Sequence, residues 1–174
     1  FAGEMIGPLT VCEGALIVVD AVAGLSVGAE KAWDQCDKYG VARMMVINQM
    51  DRDHANFSKT LKSIIDKYGT HIAPIEVPIV ENGQFKGVVC ILESKAYMGE
   101  GKNRTEVPIP DFVMEEVQMA RDAIMEAAAG ADDDLMEKYF DQGELSGDEI
   151  MTGIRKGVLD GSVVPVMCCS AVTR

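Results

Sequence analysis

No apolar run in this 174-residue sequence approaches membrane-spanning length, and the N-terminus has no basic stretch followed by an apolar core. Neither a spanning helix nor a signal peptide is therefore expected, and the chain reads as soluble, with no membrane partner. The five cysteines, Cys12, Cys36, Cys90, Cys168 and Cys169, form no CxxC pair and no metal-ligand spacing, and several sit inside apolar segments. They predict reduced core residues in a cytoplasmic setting. Basic side chains are scarce, 16 Lys and Arg against 28 Asp and Glu, for a formal net charge of −12 at pH 7. Phosphate contact needs clustered cations, so free-standing nucleic-acid binding is not expected. His54 and His71 have no Cys, Asp or Glu set at ligand spacing, so a metal site is not expected either. No repeat at solenoid periods and no low-complexity tract is present.

With 48% hydrophobic and 25% charged residues, the chain can bury a core and reads as globular, with one or two domains. The acidity is unevenly placed. Residues 71–162 carry 19 Asp and Glu against 8 Lys and Arg, and the rest of the chain carries 9 against 8.

Ala15-Leu16-Ile17-Val18-Val19 is a continuous apolar run, as expected of a strand covered on both faces of a parallel sheet. A helical pattern follows from about Val27 to Tyr39, with Gly40 placed to end it, and then a second apolar run, Met44-Met45-Val46-Ile47. Strand, helix, strand is a right-handed crossover unit, and ligands of such sheets collect at the carboxyl ends of the strands. A second helix, about Ser58 to Tyr68, stops at Gly69. A third buried run, Val163 to Cys169, contains Pro165, which cannot donate to a ladder and so predicts an edge strand.

More than ninety residues separate that second helix from the third strand, so residues 71–162 read as an inserted α+β subdomain flanked by 1–70 and 163–174. Alternating Ile75, Val77 and Ile79, an Asn82-Gly83 turn, and Phe85, Gly87, Val89 and Ile91 predict a hairpin, with Lys95-Ala96-Tyr97 as a third strand. Helices are expected from about Asp111 to Ala129, after Asp132-Asp133-Asp134, and after a Ser146/Glu149 capping box. On the first of them Val113, Val117, Ala120, Ile124 and Ala128 share one face, and Glu115, Asp122 and Glu126 fall on the opposite one.

Asn48-Gln49-Met50-Asp51 closes the second apolar run, and Ser170-Ala171 closes the third. A carboxamide and a carboxylate at one strand mouth, with a small-residue turn at another, is the layout of a guanine-base pocket. The Asp51 carboxylate can accept two parallel hydrogen bonds from guanine's ring N–H and exocyclic amine, which adenine does not offer. Asn48 can hold the turn, Gln49 can flank the base plane, and the Ala171 amide can donate to the guanine carbonyl oxygen. Gly99-Glu100-Gly101-Lys102 lacks the first Gly and the following Ser/Thr of a phosphate loop. Asp37-Lys38-Tyr39-Gly40 and Asp66-Lys67-Tyr68-Gly69 match a phosphate-sensing Asp-x-x-Gly, but each Gly stands where a helix ends.

Val18-Val19-Asp20-Ala21-Val22-Ala23-Gly24, Glu30-Lys31-Ala32-Trp33, Val46 through Arg52, Phe85-Lys86-Gly87-Val88-Val89, Leu135-Met136-Glu137-Lys138-Tyr139 and Pro165 through Ala171 together resemble bacterial elongation factor G, the ribosomal translocase. The resemblance implies a partial P-loop GTPase sheet, an α/β fold with helices on both faces, carrying that family's inserted subdomain. It implies GTP and GDP as ligands, held through Asn48, Gln49, Asp51, Ser170 and Ala171. It also implies a ribosomal stalk protein as partner of the acidic insert, for which Glu115, Asp122 and Glu126 are the natural contact. The family's phosphate loop, first switch and Asp-x-x-Gly motif precede Phe1, as do its Mg²⁺ ligands. The chain is thus expected to be an excised fragment without GTPase activity of its own. Gln49 replaces a usual Lys, Cys169 a common Gly, and Gly7-Pro8 interrupts a helix, which points to a divergent paralogue. A ribosome-protection or release-factor GTPase is the alternative within the superfamily. An acidic partner-binding module, with the Asn-x-x-Asp turn merely structural, is the alternative outside it.

Overall fold

A computed structural model describes residues 2–173; Phe1 and Arg174, the outermost positions of the expected GTPase segments, lie outside it. In chain order the elements are α1 (Ile6–Leu9), β1 (Gly14–Asp20), α2 (Val27–Tyr39), β2 (Ala42–Asn48), α3 (Phe57–Tyr68), β3 (Ile72–Pro74), β4 (Glu76–Glu81), β5 (Gln84–Cys90) and β6 (Lys95–Met98). β7 (Thr105–Val107), α4 (Met114–Gly130), α5 (Asp133–Gln142), α6 (Gly147–Asp160) and β8 (Val164–Cys168) follow. Among the described residues no helix is long and apolar enough to cross a membrane.

Local chemistry explains the boundaries. The Ser26 hydroxyl accepts from the Ala29 amide to start α2, and Gly40, at φ 63°, takes the left-handed conformation that ends it. Asn56 caps α3 through the Lys59 amide. Asn82 and Gly83, at φ 50° and 76°, make the tight turn between β4 and β5. α1 is a single turn that directly follows a 3₁₀ turn over Ala2–Met5, and Pro8 stands inside it.

β1, β2, β8 and β3 form a parallel sheet in that order, and β4 to β7 an antiparallel sheet in sequence order. β3 falls inside the acidic stretch, so the parallel sheet takes up residues on both sides of position 70. Ile75 joins the two sheets: its amide donates to the Val166 carbonyl at 2.9 Å, and its own carbonyl accepts from Ile91 at 3.0 Å. On one face of the parallel sheet Ile17, Val19, Met45, Ile47, Val164 and Val166 bury against Ala29, Trp33 and Cys36 of α2 and Phe57 and Ile64 of α3. On the other, Ala73 and Val163 pack with Val117, Ala120 and Ile124 of α4 and Ile154 of α6, together with Val77, Ile79 and Val89 of the second sheet. The fold is the expected α/β sheet with helices on both faces, plus an additional β sheet.

Two strand expectations are corrected. β8 is an interior strand, between β2 and β3. Pro165 fits there because it pairs in register with Ala73 of β3, whereas pairing with β2 runs only over Val166 to Cys168. The proline therefore stands just ahead of that ladder and breaks no bond in it. β1 and β3 are the edges instead, and the second face of β1 is open, with Leu16 56% and Val18 53% exposed. α4 and α6 pack over β2, β3 and β8 and do not extend across β1.

α4 and α6 approach closely through small residues. A Cβ built on Gly153 of α6 would stand 2.5 Å from the Ala128 carbonyl oxygen, a backbone atom that cannot swing away. Gly153→Val is expected to destabilise the chain by about 1–3 kcal/mol, read as a lower urea midpoint at unchanged slope. A midpoint equal to wild type would show that the two helices are not packed at this distance.

The start of α6 carries a pH signature. The Ser146 hydroxyl accepts from the Glu149 amide and the Glu149 carboxylate accepts from the Ser146 amide, a reciprocal cap. The Lys138 ammonium of α5, and then Ser146, hold the Glu149 carboxyl far below its ordinary 4.5, at about 2. A carboxylate depressed on folding stabilises above its unfolded pKa, and that contribution is lost as pH falls from about 4.5 to about 2. Glu149→Gln should remove this segment from the stability-versus-pH curve while leaving the rest of it in place. An identical acid limb in the variant would contradict the assignment.

Candidate functional site

The carboxyl ends of β1, β2 and β8 lie side by side, with Asp20 in register with Asn48 and Ile47 with Cys168. The turns leaving β2 and β8 are laced together. The Cys169 amide donates to the Ile47 carbonyl at 2.9 Å, and the Met50 amide donates to the Cys169 carbonyl at 3.2 Å. The 48–51 turn is thereby fixed against the 169–171 turn by backbone bonds alone.

Side chains add a second layer. Asn48 Oδ1 accepts from the Ala171 amide at 3.1 Å and from the Cys169 thiol at 3.3 Å. Burial pushes the Cys169 thiol up, which keeps it protonated and a donor. With its oxygen doubly engaged, Asn48 has its amide nitrogen left to offer a ligand, as a donor to an acceptor such as a purine ring nitrogen. The Ser170 hydroxyl donates to Asp51 Oδ1 at 2.6 Å, while Ser170 Oγ itself accepts from the Val172 and Thr173 amides at 3.3 and 3.2 Å. Asp51 is exposed, and its carboxylate keeps three of its four lone-pair positions after the Ser170 bond. Two parallel acceptors on one exposed carboxylate suit two adjacent N–H donors on one ring edge.

Asn48, Asp51, Ser170 and Ala171 are thus brought into one place. Two details differ from the sequence reading. The Ala171 amide, expected to face the ligand, donates to Asn48. Gln49 stands in a left-handed conformation, φ 68°, and its Oε1 accepts from Arg52 Nη1 at 2.6 Å. That Arg52 nitrogen also lies 3.3 Å from Asp20 Oδ2, and Asp20 Oδ1 accepts from the Val22 and Ala23 amides at 2.7 and 2.9 Å. These two backbone bonds, with the nearby Arg52 charge, hold the Asp20 carboxyl below its ordinary value. Neither Asp20 nor Arg52 stood out from spacing, because they meet across 32 residues. The signal available was charge, a basic residue directly after a carboxylate in the turn.

Ser170 and Ala171 also border a cavity of about 600 Å³ that continues past Cys169 to Glu76, Lys86 and Arg104. Asn48, Gln49 and Asp51 stand outside this cavity, on an open surface at the strand ends. Glu76 reaches across from β4 to accept the Cys168 amide at 3.2 Å, and burial pushes its carboxyl up. It supplies the acceptor that β3, ending at Pro74, does not extend far enough to give.

The whole chain, residues 1–174, matches the family model described as the elongation factor Tu GTP binding domain. The chain belongs to this family of translational GTPase domains. A crystal structure of a protein from Thermus thermophilus superposes with a TM-score of 0.88 at 32% sequence identity, over 98% of this chain and 26% of that one. The chain spans about a quarter of that protein's length. Membership makes a guanine nucleotide the ligand class of the domain, and the converging donors and acceptors at the strand ends fit a purine edge.

Far from these turns, Glu115, Asp122 and Glu126 are all exposed along one side of α4, and Asp122 accepts from the Gln118 amide nitrogen at 2.9 Å. Glu115 also borders a groove of about 870 Å³ between α3 and α4, beside the exposed Phe112 and Met119; Asp122 and Glu126 do not line it.

Proposed function

We propose that this chain is the base-reading part of the GTPase domain of a longer cytoplasmic factor that, like elongation factor G, binds GTP and drives tRNA and mRNA through the ribosome. The observation that carries the nucleotide part is the double tie of Asn48 to Ala171 and of Ser170 to Asp51, which presents a carboxylate edge and a carboxamide from two fixed turns. Residues 1–70 with β3 and residues 163–174 make up the GTPase part, and the acidic remainder the insert. Support for a translocase comes from the ordered resemblance, which runs through that insert as well as the base-facing turns.

In this reading GTP supplies the phosphoanhydride bond that is cleaved, and the residues of this chain select and hold its base. Mg²⁺ accompanies the triphosphate and is held by other groups of the factor. The test is to assay the intact factor with purified ribosomes for GTP hydrolysis and for movement of a pre-translocation complex. Hydrolysis with movement is expected. Hydrolysis without movement, in a factor that instead frees a ribosome from a bound drug or release factor, would favour the related GTPases.

The acidic side of α4 is the proposed contact for the ribosomal stalk protein. Rim charges chiefly speed association and are screened by salt. Replacing Glu115, Asp122 and Glu126 together with Gln in the intact factor should slow ribosome-stimulated hydrolysis several-fold at low salt and flatten its salt dependence. Affinity for free nucleotide should stay as in wild type. Unaltered stimulated hydrolysis at low salt would remove this face from the docking surface.

A further inference from the structure

We infer that Arg52 is a positioning residue for base recognition, tying Gln49 of the base-facing turn to Asp20 at the end of β1; this rests on the guanine-pocket reading of that turn.

Gln49 is a non-glycine residue at φ 68°, a conformation that costs an L-residue free energy unless its surroundings hold it. Its position matters because the next two residues deliver Asp51. A relaxed Gln49 would change the direction of the chain and swing the carboxylate away from Ser170.

Three bonds oppose that relaxation, and two come from Arg52. Its amide donates to the Gln49 carbonyl at 3.1 Å, closing the turn, and its Nη1 donates to Gln49 Oε1 at 2.6 Å. The third is made by the Met50 amide to Cys169. The same Nη1 reaches Asp20 Oδ2 at 3.3 Å, and Asp20 is itself pinned by the Val22 and Ala23 amides. Asp20 is the register partner of Asn48, and the Ala21 amide donates to the Asn48 carbonyl at 2.9 Å. The anchor is therefore the strand adjacent to the pocket. Arg52 is 54% exposed, so its role is not core packing.

A glycine at position 49 would take φ 68° without strain and would have no side chain to tie. The Arg52 contribution should then vanish, which makes the inference testable as a cycle in the intact factor. Equilibrium titrations would compare GDP with IDP, which lacks the exocyclic amine, in Arg52→Ala, Gln49→Gly and the double variant. Arg52→Ala is expected to weaken GDP about tenfold and to shrink the GDP-over-IDP preference, since a mis-aimed Asp51 reads that amine poorly. Arg52→Lys, which keeps a donor and the charge, should restore part of both. In the Gln49→Gly background, Arg52→Ala should change neither by more than about twofold.

Unchanged GDP affinity and preference in Arg52→Ala would overturn the inference. An equal loss in both backgrounds would overturn it too, because the effect would not pass through Gln49. A uniform loss that leaves the GDP-over-IDP preference intact would also overturn it, reducing Arg52 to a general electrostatic or stability contribution. Asp51→Asn run alongside separates a failure of the Arg52 tie from a failure of the pocket. If it weakens GDP while Arg52→Ala does not, only this inference falls; if it leaves GDP binding untouched, the pocket reading falls with it.

Discussion

Asp51→Asn in the intact factor is expected to cost about 2–3 kcal/mol of GDP binding, roughly thirty- to more than a hundredfold, and to turn the preference toward xanthine nucleotides. The carboxylate offers two acceptors to guanine's ring N–H and exocyclic amine, and the amide can accept only one of them while its NH₂ opposes the other. Xanthine carries a carbonyl where guanine has that amine, and the new NH₂ can donate to it. Ser170 makes the switch clean. Its hydroxyl donates to Asp51 Oδ1 at 2.6 Å, a bond that an asparagine oxygen can keep in the same place, which turns the NH₂ toward the base. Competition titrations with GDP and XDP measure the effect. Unchanged GDP affinity would show that Asp51 does not read the base.

Asn48→Ala is expected to act on stability and affinity together. Its Oδ1 receives the Ala171 amide and the Cys169 thiol, and its removal leaves both without that acceptor at a joint between two strands. A loss of about 1–3 kcal/mol in unfolding free energy is expected. Nucleotide affinity should fall by a further tenfold or so, since the 169–171 turn is no longer held to the 48–51 turn through this side chain. Asn48→Asp separates the two effects. A carboxylate still accepts from both groups and keeps the joint, but it has no N–H to offer a ligand. Near-wild-type stability with weakened GDP binding is expected of it, whereas equal stability in Asn48→Ala and wild type would mean that the joint is not made through this side chain.

The elements legible in the sequence are those whose stop signals are local. α2 announces itself through its apolar spacing and Gly40, the β4–β5 hairpin through Asn82-Gly83, and α6 through Ser146 and Glu149. What escaped the sequence depends on partners far along the chain. β3 and β7 have three residues each, too few to show a period, and exist because β8 and β6 pair with them. Pro165 read as an edge signal because a proline's compatibility depends on which neighbour its missing donor would have served. The apolar run of β1 read as doubly covered, but hydrophobicity alone does not say whether a helix reaches it. At the site, the residue types and their strand-end placement were visible. The diversion of the Ala171 amide to Asn48, and the Asp20–Arg52–Gln49 chain, were not, since both are made by side chains meeting across strands.

The most direct test of the base pocket is a titration of the intact, unmodified factor with GDP, IDP and ADP under one salt condition. GDP is expected to bind tightest, IDP weaker by about tenfold or more for want of the exocyclic amine, and ADP weaker still, because its ring edge offers Asp51 neither the ring N–H nor the amine that guanine does. Equal affinity for GDP, IDP and ADP would contradict it, leaving Asn48 to Asp51 as a structural turn.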